Sequence, residues 1–135
     1  MREIEFRGKT KDGRWVFGLY VNYSKFEDGV ADSIEIHRHS IKRFDGGDIE
    51  DIDPSTRGQY TGLKDRHGVK IFEGDIVKSP SRSVYQIEWV NNDYYYGFYV
   101  CDSDGNMPIK HFLKSFPFEV IGNIHDNMEL LEAGE

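Results

Sequence analysis

Between Tyr60 and Lys78 the chain reads Tyr-Thr-Gly-Leu-Lys-Asp-Arg-His-Gly-Val-Lys-Ile-Phe-Glu-Gly-Asp-Ile-Val-Lys, and no other stretch limits the fold as tightly. Asp65 can hydrogen-bond its own backbone and Gly68 can take φ > 0 without steric cost, so these two bound a tight turn. Val69, Ile71, Ile76 and Val77 place β-branched side chains on both sides of Glu73-Gly74-Asp75, which predicts two strands joined by a second turn at Gly74 and Asp75. In this reading Asp65, Gly68, Gly74 and Asp75 are structural turn residues. They specify architecture and no chemistry.

The rest of the composition agrees with a β-rich domain. Nine Phe, 8 Tyr and 14 Gly are spread over short segments, and no segment keeps an apolar helical period for three turns. A length of 135 residues suits one domain with its own core. Cys101 is the single cysteine, which excludes an intrachain disulfide and a cysteine zinc site and points to a reducing cytoplasm. The first residues, Met1 to Phe6, are charged and alternating, which does not resemble a signal peptide. No apolar run is long enough for a membrane helix. With 17 basic against 24 acidic residues the net charge is −7, which argues against nucleic acid as the main partner.

Alternation then marks the strands. Ile4 and Phe6 share a face, a turn at Lys9 to Gly13 follows, and Arg14 to Val21 returns as the second strand of a hairpin. Gly18 within it signals a bulge or a close backbone approach. Lys25 to Asp32 reads as a loop and Ser33 to Arg38 as a third strand. Residues 45–59, rich in Asp, Gly and Pro, read as a surface connection with a turn of helix after Pro54. Val84 to Val90 and Tyr95 to Val100 flank Asn91-Asn92-Asp93 as a hairpin. Phe118 to Ile121 forms a last strand, and Ile124, Met128 and Leu131 have the spacing of a short amphipathic helix.

These segments resemble the YopX family of phage and prophage proteins. The matching residues are Gln59 to Asp65, Gly68, Ile71 and Glu73 to Lys78; then Glu119 to Asn127 with Glu129, Leu130 and Leu131; and, at the start, Ile4 to Lys9 with Trp15 and Val16. Residues 22–48 and 79–117 match only loosely, and Met128 stands where the family usually has Pro. The resemblance implies a mainly β fold: an N-terminal β-hairpin region over about residues 1–58 and an SH3-like small barrel over about 59–135, ending in a short helix. It also implies a phage or prophage origin. The family has no established activity, so no catalytic residue is implied.

Each candidate for chemistry has a plainer reading. His37 and His39 share a strand face with Glu35 nearby and Asp45 further on, but the spacing is that of no zinc site. Asp45, Asp48, Glu50, Asp51 and Asp53 lack the ordered ligands of a calcium loop and read as a solvated charged segment. Asp65 and Asp75 sit beside turns, where backbone hydrogen bonds account for them, so a hydrolase built on Asp75 and a histidine ranks last. Cys101 is followed by an acid, which opposes thiolate formation. No metal, cofactor or enzyme activity is expected.

The aromatic run Tyr94, Tyr95, Tyr96, Phe98 and Tyr99, with Trp89, is the one segment that points to a binding surface. Alternation puts Tyr94, Tyr96 and Phe98 on one face and Tyr95, Gly97 and Tyr99 on the other. Because Gly97 adds nothing to a core, Tyr95 or Tyr99 is expected to point outward, and these two are the candidate interaction surface. Exposed tyrosines stack on bases or on proteins, and the surrounding Asp93, Asp102 and Asp104 favour a protein. The expected function is that of a phage accessory protein acting through protein contacts, with a partner protein or by self-association; a nucleic-acid-associated module is the alternative.

Overall fold

The computed structural model describes residues 3–28, 33–102, 105–111 and 117–133, and the side chains of residues 3–22, 38–102, 105–111 and 117–131. The chain divides into two compact units, Glu3–Gln59 and the residues from Tyr60 onward. Both are antiparallel β-sheet.

In the first unit, β1 (Phe6–Lys9) and β2 (Trp15–Asp28) form the hairpin that the alternation predicts. Thr10 and Arg14 close its turn, with Gly13 at φ 86°. The segment read as a loop from Lys25 is strand instead: β2 pairs with β3 (Ser33–Arg43) from Gly18↔Arg43 out to Asp28↔Ser33. Its polar residues hid a ladder carried by backbone groups. Of the connection expected at 45–59, residues 45–48 are turn and coil, but most of the rest is strand, with no helical turn after Pro54: β4 (Ile49–Asp51) lies beside β3 and the start of β5 (Asp53–Lys64) beside β1. Pro54 is accommodated because the β1–β5 ladder is irregular between Arg7 and Lys9. There the Thr56 hydroxyl accepts the Lys9 N–H at 2.8 Å, so a side chain satisfies what the ladder leaves open.

Val16, Ile41 and Ile52 form the core of this unit, with Phe6 and Tyr20 packed against it. Gly8 lets Ile52 close down, since a Cβ there would lie 2.3 Å from an Ile52 methyl. Gly18 makes the close approach expected of it: a Cβ there would lie 1.9 Å from the Lys42 carbonyl oxygen.

The chain enters the second unit along β5, whose last residues pair with β6 (Lys70–Phe72) through Tyr60↔Phe72 and Lys64↔Lys70. β7 (Asp75–Lys78), β8 (Val84–Asn91), β9 (Tyr96–Asp102) and β10 (Gly105–Pro108) follow as a meander; residues 109–111 are helical, and β11 (Glu119–Asn123) returns to pair with β7. The sheet order is β10-β9-β8-β7-β11. Ile71, Val77, Ile87, Val100, Ile109 and Phe118 form its core.

The expected barrel is not closed. Among the described residues nothing pairs β10 with β11, and β10 is short, fully exposed and ends at Pro108, which has no N–H to extend a ladder. The C-terminal helix α1 spans Glu129–Ala133 and lies against β8. It begins later than the apolar spacing from Ile124 predicts, because Asn123 Oδ1 accepts the N–H groups of His125 and Asp126 and holds a turn there.

Candidate functional site

The β8–β9 hairpin presents the aromatic run at its tip. Asn91 and Tyr96 close the ladder, and Asn92 Oδ1 accepts the N–H groups of Tyr94 at 2.9 Å and Tyr95 at 2.8 Å. This side-chain turn holds the loop through backbone groups, and Tyr94 stands 89% exposed and Tyr96 72% exposed.

Cross-strand pairing sets the rest. Ile87 opposite Val100 is core; one step toward the tip, Trp89 opposite Phe98 is half exposed; at the end, Tyr96 is open to solvent. The Trp89 ring meets Phe98 at 4.8 Å and Tyr96 at 5.0 Å, both edge-on, a geometry that aromatic quadrupoles favour. One continuous aromatic strip thus runs from the core to the surface.

The opposite face corrects the sequence reading. Tyr99 is buried at 8% exposed, while Tyr95 is 47% exposed and leans edge-on against it at 5.5 Å, the two flanking Gly97. The alternation of Tyr96 and Phe98 against Gly97 and Tyr99 holds, but Tyr99 is not outward. Near Tyr99 and Val100 both sheet faces are covered, so an empty position at Gly97 does not mark a solvent face. Trp89 and Tyr96 are the exposed anchors, and their signal was the position of Ile87 and Val100 further down the same face.

The turn residues hold the scaffold beneath. Asp65 is 7% exposed, and its carboxylate accepts the N–H groups of His67 at 2.8 Å and Val69 at 2.9 Å on one oxygen and of Val120 at 2.9 Å on the other. Burial pushes the Asp65 carboxyl up, but these three hydrogen bonds outweigh it and leave the group below its ordinary value. Gly68 and Gly74 lie at φ 81° and 92°, in the left-handed region. Gly74 donates to Ile87 and accepts from Ile124, and the Asp75 carboxylate accepts the Phe72 N–H at 2.7 Å.

Several of the other candidates have structural partners. In the acidic segment, Glu50 meets Arg14 and Arg43, Asp45 meets Arg43, and Asp51 meets Ser40 and Arg38. The hydrogen bond from Arg14 is the main cause that holds the Glu50 carboxyl below its usual range. His39 stacks on Tyr20 at 6.0 Å and hydrogen-bonds its hydroxyl, and the side chains of Glu35 and His37 lie outside the described residues. Among the described residues no group of three His, Cys, Asp or Glu is placed to hold a metal ion. Burial, and then Glu88 and Asp102, push the Cys101 thiol up to about 12. Among the described residues no helix is long and apolar enough to cross a membrane.

Comparison with known proteins places this architecture. The chain is similar in fold to the crystal structure of protein EF1440 from Enterococcus faecalis, with a TM-score of 0.55 and 24% identity over 97% of this chain and 99% of that one. No curated protein matches it. The model of the family described as YopX protein matches residues 5–132, nearly the whole length, and the chain belongs to the YopX family.

Proposed function

We propose that this is a phage or prophage accessory protein of the host cytoplasm that works through protein contacts and catalyses no reaction. The observation that carries this reading is the exposed aromatic tip of Trp89, Tyr94, Tyr95 and Tyr96 on a hairpin fixed by Asn92. Tyr and Trp supply large contact area with little rotamer entropy to lose, and they are enriched where proteins meet. From Val84 to Pro108 the chain has no Lys or Arg and four acids, a poor setting for a phosphate backbone. The sheet order, in which β11 pairs with β7 while β8 to β10 follow as a meander, supports an SH3-like reading of the second unit.

A photo-crosslinking side chain placed at Tyr96 in cells carrying the phage tests this. The expected result is a discrete protein adduct, with none from the same group at Gly46, an exposed turn of the first unit. Adducts to nucleic acid, or none at either position, overturn it. A paired stability measurement separates surface from core. Tyr96→Ala should change stability by less than about 0.5 kcal/mol, whereas Tyr99→Ala should cost about 3 kcal/mol or more as a core aromatic.

A further inference from the structure

Resting on the reading of the aromatic tip as a protein-contact surface, we propose that its partner is the β5–β6 tip of a second copy of this chain, so that molecules associate head to tail. The β5–β6 tip is a basic island in an acidic protein. Lys64 and Lys70 sit directly opposite each other across the two strands, an arrangement that costs stability through like-charge repulsion. Arg66 and His67 occupy the turn between them. The one acid in the segment, Asp65, is buried with its oxygens turned onto three backbone N–H groups; the Glu119 carboxylate meets His67 at 3.1 Å, which leaves the charges of Lys64, Arg66 and Lys70 to set the sign of the tip. Exposed Val69 adds an apolar centre. Among the described residues neither Lys64 nor Arg66 forms an ion pair.

The aromatic tip has the opposite character. Asp93 at its loop is exposed, as is Glu88 on the Tyr95 and Tyr99 face of the hairpin, and no cation lies within the β8–β10 segment. Lys and Arg side chains of one tip can lie on the Tyr and Trp faces of the other while pairing with those carboxylates.

One molecule cannot satisfy both tips by itself. The Asp65 turn is bonded to Val120, and Arg66 N–H to the Phe118 carbonyl. The neighbouring Glu119 pairs with Lys78, which in turn pairs with Val84 at the start of β8. The aromatic tip begins at Asn91, seven residues further along the same strand, which at about 3.3 Å per residue is about 23 Å away. The complementary surfaces therefore sit at opposite ends of β8. Contact between unlike patches at opposite ends is heterologous, and it propagates instead of stopping at a two-fold dimer.

Sedimentation of the full chain at rising concentration tests the proposal. The expected result is a weight-average mass that climbs past that of a dimer in roughly 0.1 M salt and falls back toward the monomer in roughly 1 M salt, where surface charges are screened. The double variants Lys64→Glu/Arg66→Glu and Asp93→Lys/Tyr96→Ala should each stay monomeric without loss of melting temperature, the first gaining slightly because a carboxylate in place of Lys64 would face Lys70. Mixed together they should form a one-to-one pair, because one retains the aromatic tip and the other the basic tip. A monomeric wild-type chain at every concentration overturns the proposal, as does growth that survives both variants or a mixture that does not pair. Salt-dependent DNA or RNA binding lost in Lys64→Glu/Arg66→Glu, with the wild-type chain monomeric, assigns the basic tip to phosphate instead. If the chain is monomeric yet Tyr96 still crosslinks a different protein, this inference fails and the proposed function stands.

Discussion

The Asp65 carboxylate accepts the Val120 N–H at 2.9 Å across 55 residues of sequence, and so ties the β5–β6 turn to β11. The same carboxylate organises its own turn through His67 and Val69. One side chain thus fixes a local turn and a long-range strand contact together. Asp65→Ala leaves these donors without their charged acceptor and should cost about 2–4 kcal/mol in urea unfolding. Asp65→Asn should cost less, because one amide oxygen still accepts. The folded-state carboxyl lies below its ordinary value of 3.8, so its contribution is fully present above that value and is lost as pH falls through the folded value. The stability gap between wild type and Asp65→Asn should therefore be constant from pH 5 to 7 and shrink below about pH 4. A gap that persists undiminished at pH 2 would show that the charge is not what the turn uses.

How far this architecture was legible depends on where its bonds lie. Hairpins β1–β2 and β8–β9 were readable because their apolar residues alternate and their turns carry Gly or Asn. β5 was not, since Pro54 and Gly58 dilute its pattern and its first part is held to β1 by backbone groups and the Thr56 hydroxyl. The outer half of the β2–β3 ladder was missed for a related reason: strand pairing there runs through residues whose side chains are mostly polar. At the aromatic tip, period-2 reasoning separated Tyr96 from Tyr99 and expected Tyr95 or Tyr99 outward; Tyr95 is exposed, Tyr99 is buried, and Tyr96 on the other face is exposed as well. Exposure depends on what covers each face, which is set by elements distant in sequence.

Gly18 gives a test of the first unit. Its missing side chain lets β2 sit against β3 where a Cβ would be 1.9 Å from the Lys42 oxygen and 2.7 Å from its carbonyl carbon. Backbone atoms cannot swing aside as a side chain end can. Gly18→Ala should therefore cost about 3 kcal/mol or more. Gly13→Ala, at φ 86° with open space around it, carries only the left-handed backbone penalty of about 1–2 kcal/mol. Equal losses for the two in thermal melts would reject the close approach at Gly18.

Cys101 lies on β9 opposite Gln86, with the Glu88 carboxylate as its hydrogen-bond partner and Asp102 adjacent. Burial is the largest cause raising its thiol, followed by the hydrogen bond to Glu88 and the two negative charges, and together they push it up to about 12 from 9.0. The thiolate is the reacting species, so nucleophilicity at neutral pH is suppressed by the same groups that pack the strand. Alkylation by iodoacetamide at pH 8 should be at least about a hundredfold slower in the folded protein than in the urea-unfolded chain. Glu88→Gln removes one of those charges and should speed the folded-state reaction with little change in melting temperature. If the folded protein reacts as fast as the unfolded one, Cys101 is an accessible thiol and the packing assigned to this face of β9 is wrong.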